Sequence, residues 1–326
     1  GFPPSLATQA TRYPAANGGQ ADPDALYTVW GGNNDLFAVA ADPGNAQAII
    51  GGAVAALAGI IGSLQQAGAR YVLVPNIPDL GLTPSSLAQG PAAAAQATAL
   101  ATAYNQALYT TLAANGLSVI PVDTFAFLRE VAAAPAQFGI TNVTGTACMP
   151  QITAQSLTCN PTSLVSPDAP QTYLFADGVH PASGAHRALA DLAIAAIEGP
   201  RQMAVLPHSA AATGRNRAQR VGAQVANRGD AEGARWWTDL RGWGRDGLTY
   251  GGFVGYGVQG NDWGARRGNW DQSEASIGGY IGWSSEAGGW ANAQLSYTRI
   301  DFDIERQVPL GQYGKYAFII KPDGTG

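Results

Sequence analysis

An aspartate and a histidine three residues apart are the most informative pair in this sequence, in the segment Phe175-Ala176-Asp177-Gly178-Val179-His180-Pro181. Glycine between them and proline after them allow a turn in which the Asp177 carboxylate accepts a hydrogen bond from the His180 ring. Such a carboxylate fixes the tautomer of the imidazole and stabilises the imidazolium that forms when the ring takes a proton. The spacing therefore predicts a general base, His180, oriented by Asp177. The alternative is a surface turn with an incidental histidine.

The chain has two other histidines, and neither is assigned a chemical role. His186 follows in a helical stretch, where a structural role is expected, and His208 lies in a polar connecting region.

A second polar segment, Trp30-Gly31-Gly32-Asn33-Asn34-Asp35-Leu36, follows a run of apolar residues that is typical of a buried strand. Open α/β sheets build their sites at the carboxyl ends of their strands. A side-chain amide at that edge can donate a hydrogen bond to a developing oxyanion, as acyl transfer requires. An ordinary Gly-Asn turn is the alternative interpretation.

The elements that position these segments alternate between short apolar runs and alanine-rich stretches. We predict strands over 25–30, 70–75 and 117–122, and helices over 45–68 and 90–115. Strands that alternate with helices pair in parallel and carry the helices on the sheet faces, so the first 200 residues predict an α/β domain.

The pattern changes after residue 182, becoming helical and then polar to about 230, as in a connector. After 235, period-two alternation creates three apolar faces: Leu248, Tyr250, Val254, Tyr256 and Val258; Ile277, Ile281 and Trp283; and Ala291, Ala293, Leu295 and Tyr297. One apolar face opposite a face of small polar residues is typical of lipid-facing barrel strands. A soluble β-sandwich is the alternative. Three or four strands fit before Gly326, whereas a closed barrel needs about eight.

Composition excludes several classes of protein. Charged residues make up 13%, the net charge is -5 and the basic residues form no run, so nucleic acid is not expected as a partner. Cys148 and Cys159 lie in a loop-like segment without the further ligands of a zinc site, which favours a disulfide over two free thiols. No window reaches the roughly 18 unbroken apolar residues of a spanning helix.

The two polar segments together resemble the SGNH, or GDSL, hydrolase family. Gly32-Asn33-Asn34-Asp35 is similar to its G-x-N-D block, and Asp177-Gly178-Val179-His180 is similar to its D-x-x-H block. With the intervening segments 76–84 and 138–144, the pattern is similar to the autotransporter esterases, in which a helix joins an SGNH passenger to an outer-membrane barrel.

This resemblance implies an architecture and a function. It implies a three-layer α/β esterase domain over 1–200, a helical or polar connector over 201–234 and the start of an autotransporter barrel over 235–326. It implies a carboxylic ester hydrolase for a small ester or lipid, without metal or cofactor, at the outer membrane or surface of a Gram-negative bacterium. Loops 79–90 and 139–175 would shape the acyl pocket.

The resemblance also implies the role of each site residue. Asn34 would be the oxyanion donor, His180 the general base and Asp177 its partner. Three neighbours would support the oxyanion loop, namely Gly32, Asn33 and Asp35.

The family's serine block is not found, because neither Gly-Asp-Ser nor Gly-x-Ser-x-Gly occurs in the chain. Ser63 follows a glycine but lies inside a predicted helix, without the strand-to-helix elbow of a nucleophile. The chain opens on Gly1 without a recognisable signal peptide, and the interpretation we favour is a chain cut at both ends. The alternatives are another serine in a rearranged site, or an inactive surface or secretion module.

Overall fold

The computed structural model describes residues 4–204, 207–212, 215, 219, 236–243, 248–264, 267–284, 289–310 and 314–320. They divide into two compact units, the first built on residues up to 197 and the second on residues from 198 to 308. The elements of the first unit alternate between helix and strand: α1 (Leu6–Ala16), β1 (Leu26–Thr28), α2 (Asn33–Ala41), α3 (Ala46–Gln66), β2 (Tyr71–Pro75), α4 (Pro84–Ala88), α5 (Pro91–Ala114), β3 (Ile120–Val122), α6 (Thr124–Ala133), β4 (Asn142–Thr146), α7 (Ala169–Thr172), β5 (Tyr173–Phe175) and α8 (Ser183–Met203), which continues into the second unit.

Two parallel sheets form the strand layer of the first unit. β1, β2 and β3 pair in that order, with Thr28 opposite Leu73 and Val74 opposite Pro121. β4 and β5 form a separate parallel pair with an irregular register. The predicted α/β class with parallel strands is therefore confirmed.

The core of the first unit lies between its strands and its long helices. The central strand β2 is buried along Val72, Leu73 and Val74, because it has neighbours on both sides. α3 turns a stripe of apolar side chains to this core, and its spacing follows the helical period: Val54, Leu57, Ala58, Ile61 and Leu64. Helix α5 does the same with Ala101, Tyr104, Leu108 and Leu112.

One described helix, over Pro43–Gln66, is long and apolar enough to cross a membrane by length and composition, with a mean hydropathy of 1.8. A core helix meets the same criteria, and α3 places its apolar stripe in the core of the first unit. We therefore treat it as a flanking helix of the sheet.

The second unit contains an antiparallel sheet of five strands, where the alternation in the sequence predicted three or four. The strands are β6 (Trp236–Trp243), β7 (Leu248–Asp262), β8 (Gly268–Ser284), β9 (Trp290–Leu310) and β10 (Gly314–Ile320), paired in sequence order. The three apolar faces named in the sequence lie on β7, β8 and β9, and the two outermost strands, β6 and β10, have 8 and 7 residues. The predicted connector over 201–234 lies mostly outside the described residues; helix continues through Met203 and over 207–212.

The two faces of this sheet differ as the alternation predicted. The apolar face is exposed on β7, β8 and β9, for example at Val258, Ile277 and Leu295, which are 73%, 61% and 84% exposed. The buried residues of these strands lie on the opposite face and mix apolar with polar side chains: Phe253, Trp270, Gln272, Glu274, Ser276, Tyr280 and Ile304.

Candidate active site

The Asp-His turn begins directly after β5, the strand that precedes it in the sequence. The N–H of Ala176 donates to the carbonyl oxygen of His180 over 2.8 Å and closes the turn. Inside it, the His180 Nδ1 atom lies 2.9 Å from Oδ1 and 2.8 Å from Oδ2 of Asp177. The Asp177 side chain is 6% exposed and the His180 side chain 65% exposed. The turn therefore buries the carboxylate and presents the imidazole to the surface.

The Asp177 carboxylate accepts three backbone hydrogen bonds in addition to the one from the ring. The N–H groups of Val179 and His180 donate to Oδ1 over 3.0 and 2.7 Å, and that of Ser156 donates to Oδ2 over 2.8 Å. Burial alone would raise the pKa of the Asp177 carboxyl, but the bonds from His180, Val179 and Ser156 outweigh it and hold that pKa well below its usual range. Asp177 is ionised at neutral pH.

An ionised carboxylate determines which nitrogen of His180 carries the proton. A carboxylate only accepts hydrogen bonds, so Nδ1 must be the donor in the pair. In the neutral ring the lone pair then lies on Nε2, the nitrogen that points away from Asp177. The arrangement can accept a proton at Nε2 while Asp177 stabilises the resulting cation.

Glycine is required at position 178 of the turn. A Cβ atom there would lie 2.6 Å from the carbonyl oxygen of Ile152 and would overlap the hydroxyl of Ser85. The N–H of Ser85 donates to the Gly178 carbonyl oxygen over 3.0 Å. Residues of both loops expected to shape the pocket, 79–90 and 139–175, thus contact the Asp-His turn.

The asparagine segment forms the start of α2, after β1. Gly32 is the residue before the helix and has φ +105°, which favours glycine, and a Cβ atom there would overlap the ring of Tyr104. The Tyr104 hydroxyl donates to the Gly31 carbonyl oxygen over 3.3 Å. Burial and the nearby Asp35 carboxylate raise the pKa of Tyr104 to about 12, so this donor keeps its proton.

The two asparagines of this segment differ in exposure. Asn34 is exposed on the first turn of α2, and within the described part of the chain its amide makes no hydrogen bond. Asn33 is half-buried, and its side-chain oxygen is buried without a hydrogen-bond partner. The amide of Asn34 is thus available to donate to a ligand.

The predicted site residues fall into two groups. Asp177 and His180 contact each other directly, and Gly32, Asn33, Asn34 and Asp35 share the start of α2. No hydrogen bond joins Asn34 to Asp177 or His180 among the described residues. A metal site is not formed there either, since no group of three His, Cys, Asp or Glu side chains in the described ranges could hold an ion.

Cys148 and Cys159 are joined in a disulfide that closes a loop beside the Asp-His turn. Sequence reasoning missed the contribution of this loop, which is the main-chain N–H of Ser156 on Asp177. Every residue except proline has a main-chain N–H, so the residue type at position 156 does not indicate this donor. The signal that could have indicated it was the position of Ser156 between two paired cysteines.

The hydroxyl of Ser156 also lies near the histidine, but on the wrong side for a nucleophile. Its Oγ atom is 3.5 Å from Nδ1 of His180. That nitrogen is occupied by Asp177, whereas a general base takes the proton of a nucleophile at the other nitrogen. Ser156 is therefore not the serine of an ester hydrolase.

Two family models match the chain. The model described as GDSL-like lipase/acylhydrolase matches residues 4–193, more than half of the 326 residues. The chain belongs to this family. The autotransporter β-domain model matches residues 212–318, which include β6 to β9. The resemblance seen in the sequence is confirmed, and the autotransporter match decides against a soluble β-sandwich.

Curated relatives share the same region of this GDSL-family chain. An uncharacterised protein in the trpE-trpG intergenic region of Pseudomonas putida is 35% identical over 202 residues, which cover 60% of this chain and 32% of the relative. Esterase EstA of Pseudomonas aeruginosa is 34% identical over 206 residues, covering 61% and 30%. Lipase 1 of Photorhabdus luminescens is 25% identical over 264 residues, covering 62% and 40%. The chain thus spans about a third of the length of these relatives.

Proposed function

We propose that this GDSL-family chain supplies the general base, its carboxylate partner and an oxyanion donor of a carboxylic ester hydrolase. The observation that carries the proposal is the contact of both Asp177 carboxylate oxygens with Nδ1 of His180, which leaves Nε2 as the base. Two of the relatives are named as an esterase and a lipase, which agrees with this chemistry. The substrate class is a small ester or lipid.

The proposed reaction is an acyl transfer in two halves. The nucleophile is the hydroxyl of the family's serine, for which this sequence contains no Gly-Asp-Ser block. Nε2 of His180 takes the proton of that hydroxyl as its oxygen attacks the ester carbonyl, and the imidazolium then protonates the departing alcohol. In the second half, water replaces the serine: Nε2 takes its proton and returns one to the serine oxygen as the acid is released. Asp177 orients the ring throughout.

Asn34 is proposed to donate its side-chain amide to the oxyanion of the tetrahedral intermediate. It lies at the amino end of α2, where unpaired backbone N–H groups also favour negative charge. Loss of one oxyanion donor costs about 3–4 kcal/mol of transition-state stabilisation in hydrolases. Gly32, Asn33 and Asp35 are proposed to shape this loop, with Tyr104 beneath it.

We also propose the domain boundaries and location that the family implies. Residues 1–200 would form the esterase domain, 201–234 the connector and 235–326 the first part of an autotransporter β-domain. The exposed apolar face of the antiparallel sheet supports contact with the lipid of the outer membrane of a Gram-negative bacterium.

Hydrolysis of p-nitrophenyl acetate and butyrate tests the proposed base. In a chain that hydrolyses these esters, His180→Ala is expected to lower kcat by a factor of about 10³ or more, because the nucleophile loses its proton acceptor. His186→Ala, which removes an exposed imidazole from α8, is the matched control and is expected to keep the activity.

Two results would contradict the proposal in different ways. Turnover that survives His180→Ala would show that His180 is not the base. Absence of turnover with every ester, together with no serine labelled by a fluorophosphonate probe, would show that this chain holds no working nucleophile, as a fragment or an inactive surface or secretion module would. Peptide mapping of a labelled chain would identify the serine.

A further inference from the structure

Side-chain hydrogen bonds and a disulfide hold the loop that lies beside the Asp-His turn. The loop begins at Thr146, which is fully buried at the end of β4. The Gln151 side chain accepts from the Thr146 N–H over 2.9 Å and donates to the Thr146 carbonyl oxygen over 2.7 Å. The Thr146 hydroxyl donates to the Cys148 carbonyl oxygen over 2.9 Å. The loop is therefore held at its start by side-chain bonds and across its ends by the Cys148–Cys159 disulfide.

A strained residue within this loop faces the Asp-His turn. Ile152 has φ +68° and is the one non-glycine residue with positive φ among those the structure describes. A β-branched side chain rarely adopts this conformation, and it persists only where its surroundings enforce it. Its N–H donates to the Thr146 hydroxyl over 3.2 Å, and its carbonyl oxygen packs against Gly178. The strain is localised where the loop meets the turn.

The loop delivers one backbone donor to the catalytic carboxylate. The bonds from Val179 and His180 both end on Oδ1 of Asp177 and come from within the same turn. The bond from Ser156 ends on Oδ2 and is the backbone bond that comes from outside the turn. Nδ1 of His180 also contacts Oδ2, but it belongs to the ring that the carboxylate has to orient. The Ser156 N–H is therefore the backbone donor that fixes Oδ2, and with it the rotation of the carboxylate plane, independently of the ring.

We propose that Ser156 is a positioning residue for the Asp177–His180 pair, acting through its main-chain N–H, and that the disulfide-closed loop exists to hold that N–H in place. The proposal names a new residue for the site and rests on the proposed role of the pair as a general base. Its consequence is that the pair depends on a donor 21 residues before Asp177, in a loop that the Cys148–Cys159 disulfide closes.

The electrostatics of Asp177 support the same role. The Ser156 N–H is among the groups that lower the pKa of this carboxyl. Of the titratable side chains in the described ranges, His180 is the one within hydrogen-bonding distance of Asp177. Removing the Ser156 donor therefore raises the pKa of Asp177 without altering another charged neighbour.

The local backbone allows this donor to be removed with little other change. Ser156 is the first residue of a short 3-10 helix over Ser156–Thr158, where proline is well tolerated. The preceding residue, Gln155, is extended at φ -115° and ψ 125°, the conformation that a residue before proline prefers. Ser156→Pro thus deletes the N–H, whereas Ser156→Ala keeps it and deletes only the hydroxyl.

The test follows the Nδ1–H proton of His180 by NMR in the detergent-solubilised full chain, assigned by its loss in His180→Gln. In the parent chain and in Ser156→Ala, this downfield resonance is expected to persist into acid, until Asp177 is protonated. In Ser156→Pro it is expected to disappear about one pH unit higher, because one of three backbone donors is gone. Urea unfolding confirms that each variant is folded.

A double variant, Cys148→Ser with Cys159→Ser, tests the loop without altering Ser156. It is expected to shift the acid limit of the resonance in the same direction as Ser156→Pro. An unchanged limit in Ser156→Pro would overturn the role of Ser156, and an unchanged limit in the double variant would overturn the role of the disulfide. The resonance does not depend on ester turnover, so failure of the proposed esterase function gives a different result.

Discussion

At the scale of single residues, the ionised form of Asp177 is stabilised by hydrogen-bond donors from its own turn and from the disulfide-closed loop. Burial opposes its charge, and the hydrogen bonds from His180, Val179 and Ser156 outweigh that burial. A folded-state pKa below the unfolded value means that the carboxylate stabilises the fold at neutral pH. This stabilisation is lost as the pH falls below the usual aspartate pKa, about 3.9, towards the lower folded pKa.

Asp177→Asn tests this dependence, because it removes the titration and keeps the shape of the side chain. The parent chain is expected to be more stable than the variant at pH 7, and this difference in the free energy of unfolding is expected to shrink below about pH 4. Urea unfolding at a series of pH values measures it. Asp24→Asn, at an exposed turn, controls for the loss of one charge. A difference that grew in acid would contradict the assignment.

At the scale of elements, the two long helices of the first unit were predicted closely and the strands less so. The helices predicted over 45–68 and 90–115 are Ala46–Gln66 and Pro91–Ala114, because their apolar periodicity and their ends are local properties. The strand predicted over 117–122 is Ile120–Val122. An apolar run reports burial, whereas the length of a strand depends on the neighbour with which it pairs.

The start of α2 is an element boundary whose glycine can be tested. Gly32→Ala is expected to destabilise the fold by about 1–3 kcal/mol, because the added methyl group meets the Tyr104 ring in addition to an unfavourable φ. Gly90→Ala is the matched control: Gly90 has φ +96° and open space around its Cβ position. Urea unfolding measures both, and equal losses would show that the Tyr104 contact adds nothing.

At the scale of the whole molecule, two kinds of surface occur in one chain. The first unit turns its apolar side chains inward, as at Ile61 and Val74, whereas the second exposes an apolar face across three strands. Such a face is costly in water and is stabilised by lipid. Together with the autotransporter match over 212–318, it predicts association with a bilayer.

Leu295→Arg is expected to weaken flotation of the full chain with phosphatidylethanolamine–phosphatidylglycerol vesicles. An arginine on a lipid-facing strand costs roughly 2–4 kcal/mol near the bilayer midplane. Leu157→Arg is the control, since Leu157 is 93% exposed in the first unit and Leu295 is 84% exposed in the second. Equal flotation of the two variants would contradict a lipid-facing role for this face of the sheet.

The amino-acid sequence alone determined the family, the class of fold, the periodicity of both units and the residue types available for acid-base chemistry. These follow from local order along the chain: Asp177 and His180 lie within one turn, and alternation reports which side of a strand is apolar. Tertiary structure alone decided that Ser156 donates to Asp177, that Ile152 and Ser85 pack on Gly178, and that Tyr104 lies beneath Gly32. These contacts join segments 21 to 93 residues apart, which local patterns in the sequence do not connect. The Ser156 N–H and the Ile152 carbonyl oxygen are also main-chain atoms, so the residue type does not indicate their contacts.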